Sequence, residues 1–251
     1  MPKLTRKQHY VPQFLQRNFS IGTDPNKVYI YENKHNTYIK PSFTLKSIEY
    51  NMQADYFYGK SQIGENYLSE IESSASIEIA SMIANPKKYM RKHKTLPQSM
   101  HNFLSLSVYR GPNGIKMMYN AFCQSRIRQT DLELHETFGK VIANSDSPLY
   151  ISTQKIWTYK IIRSSSYAYL PDNILYGVLP LTPHIILLYG TKYDMGMINH
   201  MISKYSMSYF IEYYNYSSIM NMYAQVIVDE HTQITTIDRL YQKFQIKPTT
   251  M

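Results

Sequence analysis

A single cysteine, Cys123, in a chain of 251 residues excludes an internal disulfide and any metal site built on several thiolates. It falls in an apolar-rich helical stretch, where a thiol reads as a small, buried, inert hydrophobe. Long hydrophobic runs are scarce too. The longest, Ile174 to Tyr189, is broken by Pro180 and Pro183 and is shorter than the roughly 20 residues that span a bilayer. The first residues are basic and aromatic, unlike a secretory leader. Together these features predict a protein of the reducing cytoplasm with no membrane partner. Motifs that announce an enzyme class are also missing. There is no Gly-rich phosphate loop, no CxxC pair, no HExxH and no GxSxG elbow, and no internal repeat is evident.

What the chain does have is positive charge. Lys and Arg number 27 against 18 Asp and Glu, for a net charge of +9. A basic surface favours nucleic acid or an anionic substrate. The 25 tyrosines, with many Ile, Asn and Lys, equally fit the background of an AT-rich genome, so both readings of the charge stay open. Hydrophobic residues at 43% and charged residues at 18% fit a globular chain. We read it as a single domain over 1–251, divided into an N-terminal docked segment and hairpin (1–60), a helical part (61–135), a strand-rich part (136–192) and C-terminal helices with a tail (193–251).

The organising stretch is Gln8-His9-Tyr10-Val11-Pro12-Gln13-Phe14-Leu15-Gln16-Arg17-Asn18-Phe19, behind the basic leader Lys3 to Lys7. A terminus so rich in apolar residues is predicted to be docked rather than loose. Pro12 suits the first turn of a helix, which puts Leu15 and Phe19 on one face and leaves His9 in extended chain just before it. Val28 to Glu32 alternates as a strand and predicts a hairpin with Thr37 to Ile39. Gly64 to Ala84 is the clearest helix, with Leu68, Ile71, Ala75, Ile79 and Met82 at spacings of three and four. Glu65 and Glu72 flank that stripe, two turns and about 10 Å apart, while Glu70 points to water.

Asn85-Pro86 ends this helix, and Lys87 to Lys94 is the most basic run. Lys87, Lys88, Arg91 and Lys94 read as a phosphate-contacting loop or as a solvated linker. Thr95 with Gln98 is predicted to cap the next helix. Arg110 shares its inward face with Phe103, and a buried arginine needs a partner. Glu65, Glu72 and Asp146 are the candidates. Gly111 to Gly114 breaks that helix, and Ile115 to Phe122 resumes it. Lys140 to Ala143 reads as a strand that presents Asp146 in the polar turn Asn144 to Pro148. Strands over Trp157–Ile162 and Ile185–Leu188 flank a turn at Pro171-Asp172-Asn173. Helices follow over Asp194–Tyr223, then a strand at Val226–Val228 and a loose tail after Gln245. The fold class is α+β, a small mixed or antiparallel sheet with helices mainly on one side.

The opening stretch resembles the pattern HYVPxFxLRNF that begins members of the bacterial DUF4238 family. Four later pieces follow in the family's order: the Glu65/Glu72 pair on a helix, Arg110-Gly111-Pro112, Ser145-Asp146-Ser147-Pro148, and Pro180-Leu181-Thr182-Pro183. The resemblance covers roughly Gln8 to Gly190 and implies a shared architecture more than a shared chemistry.

Two functions use the candidate cluster His9, Glu65, Glu72, Arg110 and Asp146. In the first, Glu65, Glu72 and Asp146 hold Mg²⁺ or Mn²⁺ through oxygen ligands, and Arg110 stabilises charge on a phosphoryl group. In a metal-free variant His9 is the general base. Either makes the protein a nuclease acting on RNA or DNA, placed by analogy alone in phage defence or among toxins. In the second, Arg110 is locked by Glu72 and Asp146 in a structural ion network and His9 pins the N-terminus through a backbone carbonyl. The basic surface then binds nucleic acid, or a protein partner from the same operon, without chemistry. Geometry separates them: convergence on an open cleft favours the enzyme, and a sealed cluster favours the network.

Overall fold

The computed structural model describes residues 4–22, 24–32, 41–90, 94–125, 130–144 and 157–244. Over these residues the chain is α+β. Its strands form three antiparallel sheets rather than one. The smallest pairs β1 (Lys7–His9) with β4 (Gln53–Asp55). The second has the order β3-β2-β10-β7, with β2 Lys27–Glu32, β3 Ser42–Ser47, β7 Leu170–Pro171 and β10 Gln225–Ile227. The third has the order β5-β6-β9-β8, with β5 Lys94–Thr95, β6 Thr158–Arg163, β8 Val178–Thr182 and β9 Ile185–Gly190. Among the described residues no helix is long and apolar enough to cross a membrane.

The N-terminal stretch is docked, as its composition predicts. Val11, Leu15 and Phe19 belong to the main core, and helix α1 (Gln13–Arg17) starts immediately after Pro12. Two glutamines complete the anchoring. Gln16 donates to the Val11 carbonyl at 2.7 Å and accepts from Asn51 at 2.9 Å. Buried Gln8 donates to the Thr5 and Gly59 carbonyls and accepts from the Tyr58 amide. Each buried amide is satisfied on both ends, the condition for a polar side chain to sit in a core.

Helix α2 (Ile63–Ala84) buries Leu68, Ala75, Ile79 and Met82, the predicted stripe. Helix α3 (Pro86–Met90) follows at once, and α4 (Gln98–Tyr109) buries Met100, Phe103 and Leu104. Arg110 stands at the α4 C-terminus, and α5 (Pro112–Gln124) restarts with Pro112 in its first turn. The joint needs Gly114, because a Cβ there would meet the Tyr109 carbonyl oxygen at 1.6 Å. Helices α7 (Lys192–Tyr205), α8 (Met207–Asn221) and α9 (Ile234–Phe244) complete the chain, with β10 between the last two.

Four expectations need correction. Lys140 to Ala143 is not a strand but the last turn of helix α6 (Asp131–Ala143). Thr130 and Glu133 form a capping box that starts this helix, and Leu134, Phe138 and Ile142 give it a four-residue stripe that a short β-branched window hides. Thr95 lies in β5 instead of capping α4, whose N-cap is Pro97. Cys123 is exposed. Helix α5 buries only Gly114 fully, so its C-terminal half carries Cys123 at the surface. The strand that pairs with β2 is Ser42–Ser47; Thr37 to Ile39 and the tail after Phe244 lie outside the described residues.

Candidate functional site

A cleft of about 510 Å³ opens between the N-terminal strand and helix α2. Its two walls follow from two periodicities. Side chains alternate along a strand, so Thr5, Lys7 and His9 face the cleft while Gln8 turns into the core. On α2, residues three, four and seven apart share a face, so Glu65, Ser69, Glu72, Ser73 and Ser76 form the opposite wall. Gln13, Phe14 and Glu49 close the remaining side, with Phe14 seated on Phe103 at a ring separation of 5.9 Å. The predicted histidine and both predicted glutamates therefore meet on one open surface, from positions far apart in the chain.

Arg110 stands behind this surface. It is 2% exposed. Its Nη1 lies 2.6 Å from the Glu72 carboxylate, its Nη2 donates to the His9 carbonyl at 2.8 Å, and its Nε donates to the Tyr58 hydroxyl at 3.3 Å. The Tyr58 hydroxyl in turn donates to the Arg110 carbonyl at 3.0 Å. One guanidinium fork thus fixes the strand that carries His9 and the helix that carries Glu72. Burial works against the Arg110 charge, but Glu72 and Tyr58 outweigh it and raise its pKa. The family-like Arg-x-Pro segment also has a backbone reason: the arginine caps α4 and the proline starts α5.

The two titratable groups on the open face are pushed in opposite directions. Burial lowers the His9 pKa, with the Arg110 charge adding to it and hydrogen bonds to backbone carbonyls opposing it. Burial raises Glu65 to about 7, against the attraction of Arg110 and with the repulsion of Glu72. His9 Nε2 lies 3.2 Å from the Ile48 carbonyl oxygen. A carbonyl only accepts, so Nε2 carries the proton and Nδ1 is left as the acceptor. Near pH 7 this gives a neutral imidazole facing a carboxyl group close to half protonated.

Asp146 lies outside the described residues. Among the described residues no group of three or more His, Cys, Asp or Glu side chains is placed to hold a metal ion. Lys87 and Lys88 are exposed on α3, and neither lines the cleft. Arg91 is outside the described residues, and of Lys94 only the backbone, in β5, is described. Lys7 and Tyr58 went unremarked in the sequence. Lys7 was legible by counting two residues back from His9 on a strand. Tyr58 had no signal beyond membership of an aromatic segment.

A second buried carboxylate serves the fold instead. Asp172 is 1% exposed and accepts from the backbone N–H groups of Tyr223, Ala224 and Gln225 at 2.7, 2.7 and 2.8 Å. Burial raises it to about 6 even though those three donors pull it down. The turn expected at Pro171-Asp172-Asn173 is thus also the anchor of β10.

No curated protein and no solved structure matches the chain. One family model does, described as a protein of unknown function, DUF4238, over residues 7–147. The matched span takes in the His9 strand, the Glu65/Glu72 helix and Arg110, and stops before the Pro180 to Pro183 segment. With more than half of its length inside that match, the chain belongs to the DUF4238 family.

Proposed function

We propose that the cleft is the active site of a nuclease that hydrolyses phosphodiester bonds by proton transfer between His9 and Glu65. The observation that carries this reading is the convergence of His9, Glu65 and Glu72 on one open surface, with the Arg110–Glu72 pair buried behind it. A cluster serving only to pin the N-terminus has no need of an open face. His9 Nδ1 accepts the proton of the attacking hydroxyl, and Glu65 returns one to the leaving oxygen. A pair of groups with pKa values moved apart suits this division of labour. Arg110 is a positioning residue here, since all its described contacts run to Glu72, Tyr58 and His9. The net charge of +9 supports a polyanionic substrate. The described residues form no three-ligand metal group, so no step is routed through Mg²⁺ or Mn²⁺.

A second reading has its own support. Arg110 holds the His9 carbonyl, and His9 itself bonds the Ile48 carbonyl, as a purely structural pin would. Incubating the protein with RNA and with DNA, in Mg²⁺, Mn²⁺ or EDTA, separates the two. The proposal expects cleavage that survives EDTA. His9→Gln should remain folded and lose about 10²–10⁴ in rate, the usual cost of removing a general base. No cleavage of either polymer, or a His9→Gln protein as active as wild type, sinks the proposal. Cleavage abolished by EDTA moves the chemistry to a metal. A structural pin predicts instead that His9→Ala costs about 1–3 kcal/mol of stability through the unsatisfied partner.

A further inference from the structure

Lys7 is the one lysine or arginine among the residues that line the cleft. Strand alternation places it two residues from His9 on the same face, and pairing with Asp55 across β1 and β4 fixes its backbone. Its Nζ lies 3.6 Å from the centre of the Tyr50 ring. That contact holds an ammonium in place without neutralising it. The salt bridges among the described residues use other cations: Arg6, Lys27, Lys46, Arg110, His231 and Lys243. Lys7 therefore presents an uncompensated charge beside the His9 ring.

The rest of the lining leaves that charge available. Glu72 is paired with Arg110, and Glu49 is exposed to solvent. Ser69, Ser73 and Ser76 donate their hydroxyl protons to the α2 carbonyls of Glu65, Ser69 and Ser73. They offer the cleft acceptor oxygens rather than donors. An anion entering the cleft finds its strong donor at Lys7, a compact point charge suited to phosphate.

We propose that Lys7 is the phosphate-binding residue of this site, seating one phosphate of a single-stranded nucleic acid against His9. The inference rests on the nuclease reading of the cleft, but its test does not need turnover. A fluorescein-labelled single-stranded RNA is titrated by anisotropy over a range of salt, with every protein in a His9→Gln background so that the probe stays intact. One lost phosphate contact flattens the plot of log affinity against log salt by about 0.7. Lys7→Met should show that change with a several-fold weaker affinity, and Lys7→Arg should restore both. Lys27→Met removes an exposed charge that is paired with Asp24 and lies off the cleft, and it should change neither. Melting curves verify folding, and Lys7→Gln replaces Lys7→Met if the latter is unstable. An unchanged slope, an equal effect of Lys27→Met, or no RNA binding at all overturns the proposal. A protein that binds with the Lys7-dependent slope yet cleaves neither RNA nor DNA retains this inference as a binding contact and loses the nuclease reading.

Discussion

Glu65 is held in a state that folding alone would not choose. Its carboxyl ionises at about 7 in the fold, against 4.5 for the free group, because burial outweighs the pull of Arg110. A pKa raised by folding contributes stability that is full below pH 4.5 and lost as pH rises through 7. At one pKa unit for about 1.4 kcal/mol, Glu65→Gln should be more stable than wild type by about 1–3 kcal/mol at pH 8 and no more stable at pH 4. Urea unfolding at both pH values reads this directly. A constant difference between the two proteins would mean that Glu65 is not strained. His9, Glu65, Glu72 and Arg110 were legible in the sequence because a charge or imidazole on an inward face demands a partner. Gln8, Gln16 and Asp172 were not. Their reasons for burial are backbone groups contributed by distant segments, such as the Tyr223 to Gln225 amides that meet Asp172.

Among the elements, α2 carries both an inward apolar stripe and an outward functional one, and both were readable from spacing. The α6 misreading shows the limit of short windows. Val141 and Ile142 favour a strand locally, yet the Thr130 capping box and the contact with α2 decide otherwise. That contact is close. A Cβ on Gly139 would meet the Tyr58 carbonyl oxygen at 2.1 Å, and one on Gly64 would meet the Gly139 Cα at 2.7 Å. Alanine in mid-helix normally gains about 1 kcal/mol over glycine, but here overpacking by one methyl should cost about 1–3 kcal/mol net. Gly139→Ala should therefore melt lower, by roughly 2–4 °C per kcal/mol for a chain of this size. A raised melting temperature would show that α2 and α6 pack more loosely. Sheet membership was not legible at all. Hairpin logic pairs β2 with the next strand, but nothing local announces that β10 comes back to β2 from the other end of the chain.

For the whole molecule, the α+β class followed from composition and periodicity, while the division of the strands into three sheets depended on long-range pairing. The charge of +9 sets a prediction at this scale. Serine at Lys87, Lys88, Arg91 and Lys94 together should flatten the salt dependence of nucleic-acid binding by about 0.7–0.9 for each contact removed. An unchanged slope assigns the run to a plain linker and leaves binding to the cleft. The cleft itself carries the central claim, that His9 and Glu65 divide proton transfer between them, and the pH dependence of kcat/KM for cleavage tests it most directly. A base works above its pKa and an acid below its own. Wild type should give a bell whose rising limb lies below pH 6.5, where His9 loses its proton, and whose falling limb lies near 7, where Glu65 does. Glu65→Gln should lose the falling limb and keep the rising one. A profile that keeps both limbs in Glu65→Gln, or that shows neither in wild type, contradicts the account.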